Sequence, residues 1–181
     1  APSALWASNI SGMFKALAAT QQRAYDIIQC MNEQLLSQKP EGKVLYALTN
    51  VLKVTATKIE MCIAGNYVPP LLYNAKNKSL RSLNAPASPL GIMLPGQFKT
   101  YSETIDFEEN DMLILFTDGL IEAQTSDGGQ LGYEVAKKQI EEQIASKVPS
   151  EDFVSTLYSW LDKNYEIYDD VSLVLVSKFG K

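Results

Sequence analysis

At 181 residues, with 46% hydrophobic and 20% charged residues, the chain holds enough apolar sequence for a full core and too much for a disordered segment. Its net charge of −5 argues against the clustered Lys/Arg footprint of a nucleic-acid binder, so no nucleic-acid partner is expected. Histidine is absent, which excludes an imidazole base, a His-ligated zinc and a Ser-His-Asp triad on this chain.

In chain order, residues 2–20 are predicted to form a helix. Pro2 suits a first turn, and Trp6, Ile10, Met13 and Leu17 recur at spacings of four, three and four along one face. A second helix over 22–37 carries Ala24, Ile28, Met31 and Leu35, and Lys39-Pro40-Glu41-Gly42 ends it. Both stripes read as core packing. Cys30 and Cys62 sit in apolar surroundings and read as two buried thiols of a reducing compartment, with no pattern that supports a disulfide.

The period then changes. Segments 43–52, 56–64, 79–83, 99–106 and 112–117 carry Val, Ile, Tyr and Thr between turn residues and read as strands. Asn74 to Lys78 reads as a tight turn between two of them, and Glu108-Glu109-Asn110-Asp111 as the turn before the most buried one. Ser126-Asp127-Gly128-Gly129 reads as a loop. Helical spacing returns over 133–146 with Tyr133, Ala136, Ile140 and Ile144. A further helix begins at Pro149-Ser150, with Ser150 as its N-cap and Phe153, Leu157, Trp160 and Leu161 on its buried face. A strand over 171–177 closes the chain. Helices grouped at both ends of antiparallel-looking strands predict one α+β layered domain over 1–181. No apolar run approaches the ~18 residues a membrane helix needs, so no membrane insertion is expected. Ala1 opens directly into helical sequence, and the natural N-terminus is expected to lie further upstream.

Chemistry concentrates at two strand edges. The apolar run Leu113-Ile114-Leu115-Phe116 ends in Thr117-Asp118-Gly119. A carboxylate there cannot be buried alone, so Asp118 is solvated, paired or metal-bound, or it caps the next segment. Asp169-Asp170 precede the final apolar strand. Two adjacent carboxylates repel unless a cation compensates, or they form a solvated loop pair. Acidic oxygens at strand ends beside Gly119 suit a hard divalent cation. Glu122, three to four residues past Asp118, reads as a surface residue in preference to a group that supports Asp118. Ala64-Gly65-Asn66-Tyr67-Val68-Pro69-Pro70-Leu71-Leu72-Tyr73 reads as a rigid turn that is structural or lines a site, and Ser88-Pro89-Leu90-Gly91 as a second fixed turn. There is no phosphate-cradling Gly-rich loop and no CxxC pair.

Five of these segments, in order, resemble the SpoIIE/RsbU branch of the PPM-type metal-dependent protein phosphatases. They are the helix start at Ala1 to Leu5, Ala64 to Tyr73, Pro89-Leu90-Gly91, Thr117 to Ala123, and Asp169 to Leu173. The resemblance implies an α/β/β/α sandwich of two antiparallel sheets flanked by helices, with N-terminal strands missing. It implies Mn²⁺- or Mg²⁺-dependent hydrolysis of phosphoserine or phosphothreonine on a STAS-type partner, in the cytoplasm, downstream of a sensor or receiver domain. By motif, Asp118 and Asp169 would be metal ligands and catalytic residues, Asp170 an outer-shell or substitute ligand, and Gly119, Gly65 and Asn66 site-lining. The family draws further ligands from two strands before its first helix, where this chain has none, and Asn66 stands at its usual histidine. A degenerate module that binds its partner without hydrolysis is the alternative. Unpaired sheet edges would suit a homodimer.

Overall fold

The stripes on the first two helices mark where one core forms. The computed structural model describes residues 2–21, 23–38, 44–65 and 68–178. Helix α1 spans Pro2–Ala18 and α2 Ala24–Gln38. The strands are β1 Thr49–Val54, β2 Lys58–Ala64, β3 Leu71–Asn74, β4 Ser79–Ser82, β5 Tyr101–Asp106, β6 Met112–Phe116 and β7 Leu173–Ser177. Helices α3 (Asp118–Ile121), α4 (Tyr133–Ala145) and α5 (Ser150–Asn164) complete the order. The chain forms two compact units, Ala1–Asn66 with Ala85–Phe107, and Tyr67–Asn84 with Glu108–Lys181. Each holds an antiparallel sheet flanked by helices.

In the first unit the strand order is β1-β2-β5. Ala24, Ile28, Met31 and Leu35 of α2 are buried against Val51, Cys62 and Ala64, and the α1 stripe packs onto the same cluster. The alternate residues of β2, namely Ile59, Met61 and Ile63, are fully buried too, so this central strand is apolar on both faces. Both cysteines are free; Cys62 is buried, and that burial pushes its thiol above the ordinary range. Cys30 is only half-buried, a correction to the reading of two buried thiols, because it lies beside the apolar stripe and not on it.

The two fixed turns meet in this unit. Gly65 has a left-handed backbone (φ 71°), and a Cβ there would collide with the Leu48 side chain and come within 3.3 Å of the Pro89 Cα. Asn32, buried on α2, clamps the second turn. Its amide nitrogen donates to the Met93 carbonyl (3.0 Å), and its Oδ1 accepts from the Gly91 N–H (3.0 Å). Asn32→Leu fills the space but removes both bonds. It should lower unfolding free energy by about 2–3 kcal/mol, read from the urea midpoint; a change below the usual scatter would mean the turn is held without Asn32.

In the second unit the order is β4-β3-β6-β7. Ile114 and Phe116 of β6 and Leu71 of β3 face a cluster containing Ala136 and Ile140 of α4 and Phe153, Leu157 and Leu161 of α5. This is the face predicted for α5, with Trp160 packed at its margin. Asp111, 2% exposed, ties two turns together. Its carboxylate accepts from the N–H groups of Ala75 (2.8 Å) and Glu108 (2.9 Å). Among the described residues no helix is long and apolar enough to cross a membrane.

Several expectations are corrected. The strand expected from 43 starts at Thr49; before it, Ala47 forms an isolated bridge with Leu90. The later part of the expected rigid turn at 64–73 is strand β3, central in its sheet and paired with both β4 and β6. It begins directly after Pro69-Pro70, where a missing N–H is tolerated. Pro149, not Ser150, is the N-cap of α5; its carbonyl accepts from the Asp152 N–H (3.0 Å), which places Ser150 inside the first turn. The expected helix stop at 39–42, Ala1 and Asn66 lie outside the described residues.

Candidate metal and phosphate site

Strand β6 delivers Asp118. Five successive apolar residues, Met112 to Phe116, seat it in its sheet, and Thr117 continues the pairing by donating its N–H to the Ser172 carbonyl (3.1 Å). The chain then turns into the one-turn helix α3, whose first residue is Asp118. Its N-cap, Thr117, makes no side-chain capping bond. Asp118 is half-buried, and among the described residues its carboxylate has no hydrogen-bond or ion-pair partner. The capping alternative for Asp118 is therefore not what the backbone uses.

The loop before β7 is held against this turn. The Thr117 hydroxyl donates to the Asp170 carbonyl (3.1 Å) and accepts from the Ser172 N–H (2.9 Å). A paired bridge between Gln124 and Glu166 (2.9 and 2.7 Å) latches the other end. Between these latches Gly119 lies so close that a Cβ on it would stand 2.5 Å from the Asp170 carbonyl oxygen and 3.1 Å from that of Asp169. Glycine is required here by proximity alone. Asp169 and Asp170 are both exposed, and Asp169 Oδ1 accepts from the Asp170 N–H (2.8 Å). Glu122, expected on the surface, is half-buried, and its N–H closes α3 on the Asp118 carbonyl (2.9 Å).

Thus the structure brings Asp118, Gly119, Asp169 and Asp170 to one edge of the second unit. Gly65 belongs to the first unit. Sequence reasoning missed the clasp by Thr117. Its signal is a hydroxyl residue directly before Asp118, and it becomes legible only once Thr117 is known to face Ser172 across the β6–β7 ladder. Thr117→Val should cost about 1 kcal/mol and speed amide exchange at Ser172, since two bonds at an exposed position are lost. Unchanged exchange would mean the loop is fixed by other contacts.

The donors at this edge are oxygen only: an uncommitted carboxylate, two exposed carboxylates and two backbone carbonyls. That chemistry fits a hard cation of the Mg²⁺ type, which keeps several waters and takes one or two carboxylates. Among the described residues no three His, Cys, Asp or Glu side chains converge as a closed metal cage.

The structure of the RsbU and RsbW domains of Rv1364c from Mycobacterium tuberculosis matches with a TM-score of 0.71 at 22% identity, over 95% of this chain and 46% of that one. The phosphatase domain of SpoIIE from Bacillus subtilis, presoaked with Mn, matches with a TM-score of 0.54 at 13% identity, over 95% and 74%. Two antiparallel sheets flanked by helices are thus the PPM-type (PP2C) phosphatase fold. The family described as Stage II sporulation protein E (SpoIIE) matches residues 1–179, and the chain belongs to that family. Phosphoserine phosphatase RsbU of Bacillus subtilis (strain 168) is 26% identical over 182 residues, covering 98% of this chain and 52% of that protein. The chain therefore spans about half the length of this relative.

Proposed function

We propose that the chain is the phosphatase module of a bacterial signalling protein and hydrolyses phosphoserine or phosphothreonine on a regulatory protein of the STAS type. The observation that carries this reading is the uncommitted Asp118 carboxylate, held at a strand end beside the Asp169-Asp170 loop in a chain of the SpoIIE family. The name of its relative RsbU supports a phosphoserine substrate, and an RsbU domain joined to an RsbW domain in the Mycobacterium structure supports a partner-switching setting.

In this reading Asp118 and Asp169 would hold Mn²⁺ or Mg²⁺, with Asp170 as an outer or substitute ligand. Such an ion supplies Lewis acidity toward a phosphoryl oxygen and toward water. The chain's own part is positional. Thr117 fixes the 169–172 loop by its hydroxyl, Gly119 lets that loop approach Asp118, and the exposed carboxylates leave the edge open to a protein-borne phosphate. Site, substrate and signalling partner all lie in the cytoplasm, and an upstream sensor or receiver domain sets the activity.

The test is Mn²⁺-dependent phosphate release from a phosphoserine STAS-type protein, measured for these 181 residues and for the protein extended upstream. Release by the extended protein supports the enzyme. Partner binding without release by either form would mean a degenerate, binding-only module.

A further inference from the structure

A cavity of about 420 Å³ lies in the second unit where the β3–β4 hairpin meets the end of α4. That volume suits a small molecule. Leu80, Ile144 and Ala145 give it an apolar wall, and Tyr73 lines it from β3. Three charged residues complete the lining: Lys78, Lys147 and Glu141.

The two lysines are unusual in their backbone. Lys78 (φ 52°) and Lys147 (φ 55°) both adopt the left-handed conformation; the other such non-glycine residue among those described is Asn110. This conformation is costly to residues with a Cβ and is normally left to glycine or asparagine. Local hydrogen bonding accounts for the bends. Lys78 ends the turn in which the Asn77 N–H bonds Asn74 Oδ1, and Lys147 follows the C-cap of α4 with its N–H on the Ile144 carbonyl (3.0 Å). It does not account for a lysine at either place. Both side chains are exposed, and among the described residues neither ammonium has an ion-pair partner. Their aliphatic stems suit the apolar wall while their charges stay in water.

The cavity is separate from the Asp118 edge. Tyr73 pairs with Met112, the first residue of β6, whereas Asp118 lies just past Thr117 at the other end of that strand. At ~3.3 Å per residue, β6 alone separates them by about 13 Å.

We propose that this cavity is a second ligand site that binds a small amphipathic anion. The apolar body rests on Leu80, Ile144 and Ala145, and Lys78 and Lys147 meet the charge. Glu141 offsets one of the two positive charges, so the site suits a monoanion such as a carboxylate better than a doubly charged phosphate. This site goes beyond the phosphatase reading, and its test reads binding alone.

The probe is octanoate, titrated into the 181-residue protein by calorimetry and by amide chemical shifts. One saturable site is expected, with shifts centred on Leu80, Ile144 and Ala145. Octanol and inorganic phosphate should each bind at least about tenfold more weakly, because each lacks one half of the recognition. The double variant Lys78→Gly, Lys147→Gly should melt no lower than the parent, since glycine relieves both bends, yet lose about tenfold or more in octanoate affinity. Ala145→Phe, an exposed position on the cavity wall, should also block binding. Equal binding of octanol, equal binding of phosphate, undiminished binding by the double variant, or no saturable binding at all would each overturn the proposal.

Discussion

Asp118→Asn should leave the fold intact and lower Mn²⁺-dependent phosphate release by at least about 100-fold, the upper range seen when even an outer partner of a metal ligand is removed. The two halves of this expectation have separate causes. The carboxylate is half-buried and, among the described residues, bonded to nothing, so an amide of the same shape should shift stability by no more than about 0.5 kcal/mol. The amide is neutral, however, and a hard cation selects charged oxygen. Steady-state release across a Mn²⁺ titration, alongside a thermal melt, separates the two. Full turnover with an unmoved Mn²⁺ midpoint would remove Asp118 from the site.

Gly119→Ala should do the opposite and damage stability and activity together. The new methyl would stand 2.5 Å from the Asp170 carbonyl oxygen and 2.9 Å from its carbon. These are backbone atoms, and they cannot swing aside as the end of a side chain can. The loop that carries them is latched at both ends, by Thr117 to Asp170 and Ser172 and by Gln124 to Glu166. Relief therefore means displacing Asp169 and Asp170, at about 1–3 kcal/mol for overpacking. Phosphate release should fall in step. Gly12→Ala is the control: nothing lies within 4 Å of a Cβ there, so that helix should gain about 0.5–1 kcal/mol. Equal urea midpoints for the Gly119 variant and the parent would show that the loop yields freely.

The parts of the fold that sequence made legible are those governed by period. The stripes of α1, α2, α4 and α5 follow helical spacing because each helix has one side to bury, and all four helices stand where they were expected. The Thr117-Asp118-Gly119 edge was legible because an acidic residue just past an apolar run must leave the sheet. Short elements escaped. Strand β3 offers four residues after two prolines and α3 only four in all, too few for any period to show. Buried polar residues escaped as well. Asn32 and Asp111 look like a helix surface position and a turn position, and their burial comes from backbone groups distant in sequence, at Gly91, Met93 and Ala75. The Thr117 clasp belongs to the same class, since its partners lie more than fifty residues away.

The strand ladder also fixes the order in which the molecule can be completed. Strand β6 ends at Phe116, but β7, its neighbour on one side, begins only at Leu173. On a ribosome adding ~5–20 residues per second, Phe116 waits roughly 3–11 seconds for Leu173. During the wait an apolar strand edge stands open to chaperones or to sticking. The Asp169-Asp170 loop arrives with β7, more than fifty residues after Asp118. A chain cut short before β7 would carry Asp118 without the loop that lies against Gly119, so the proposed site forms only when both segments have been made.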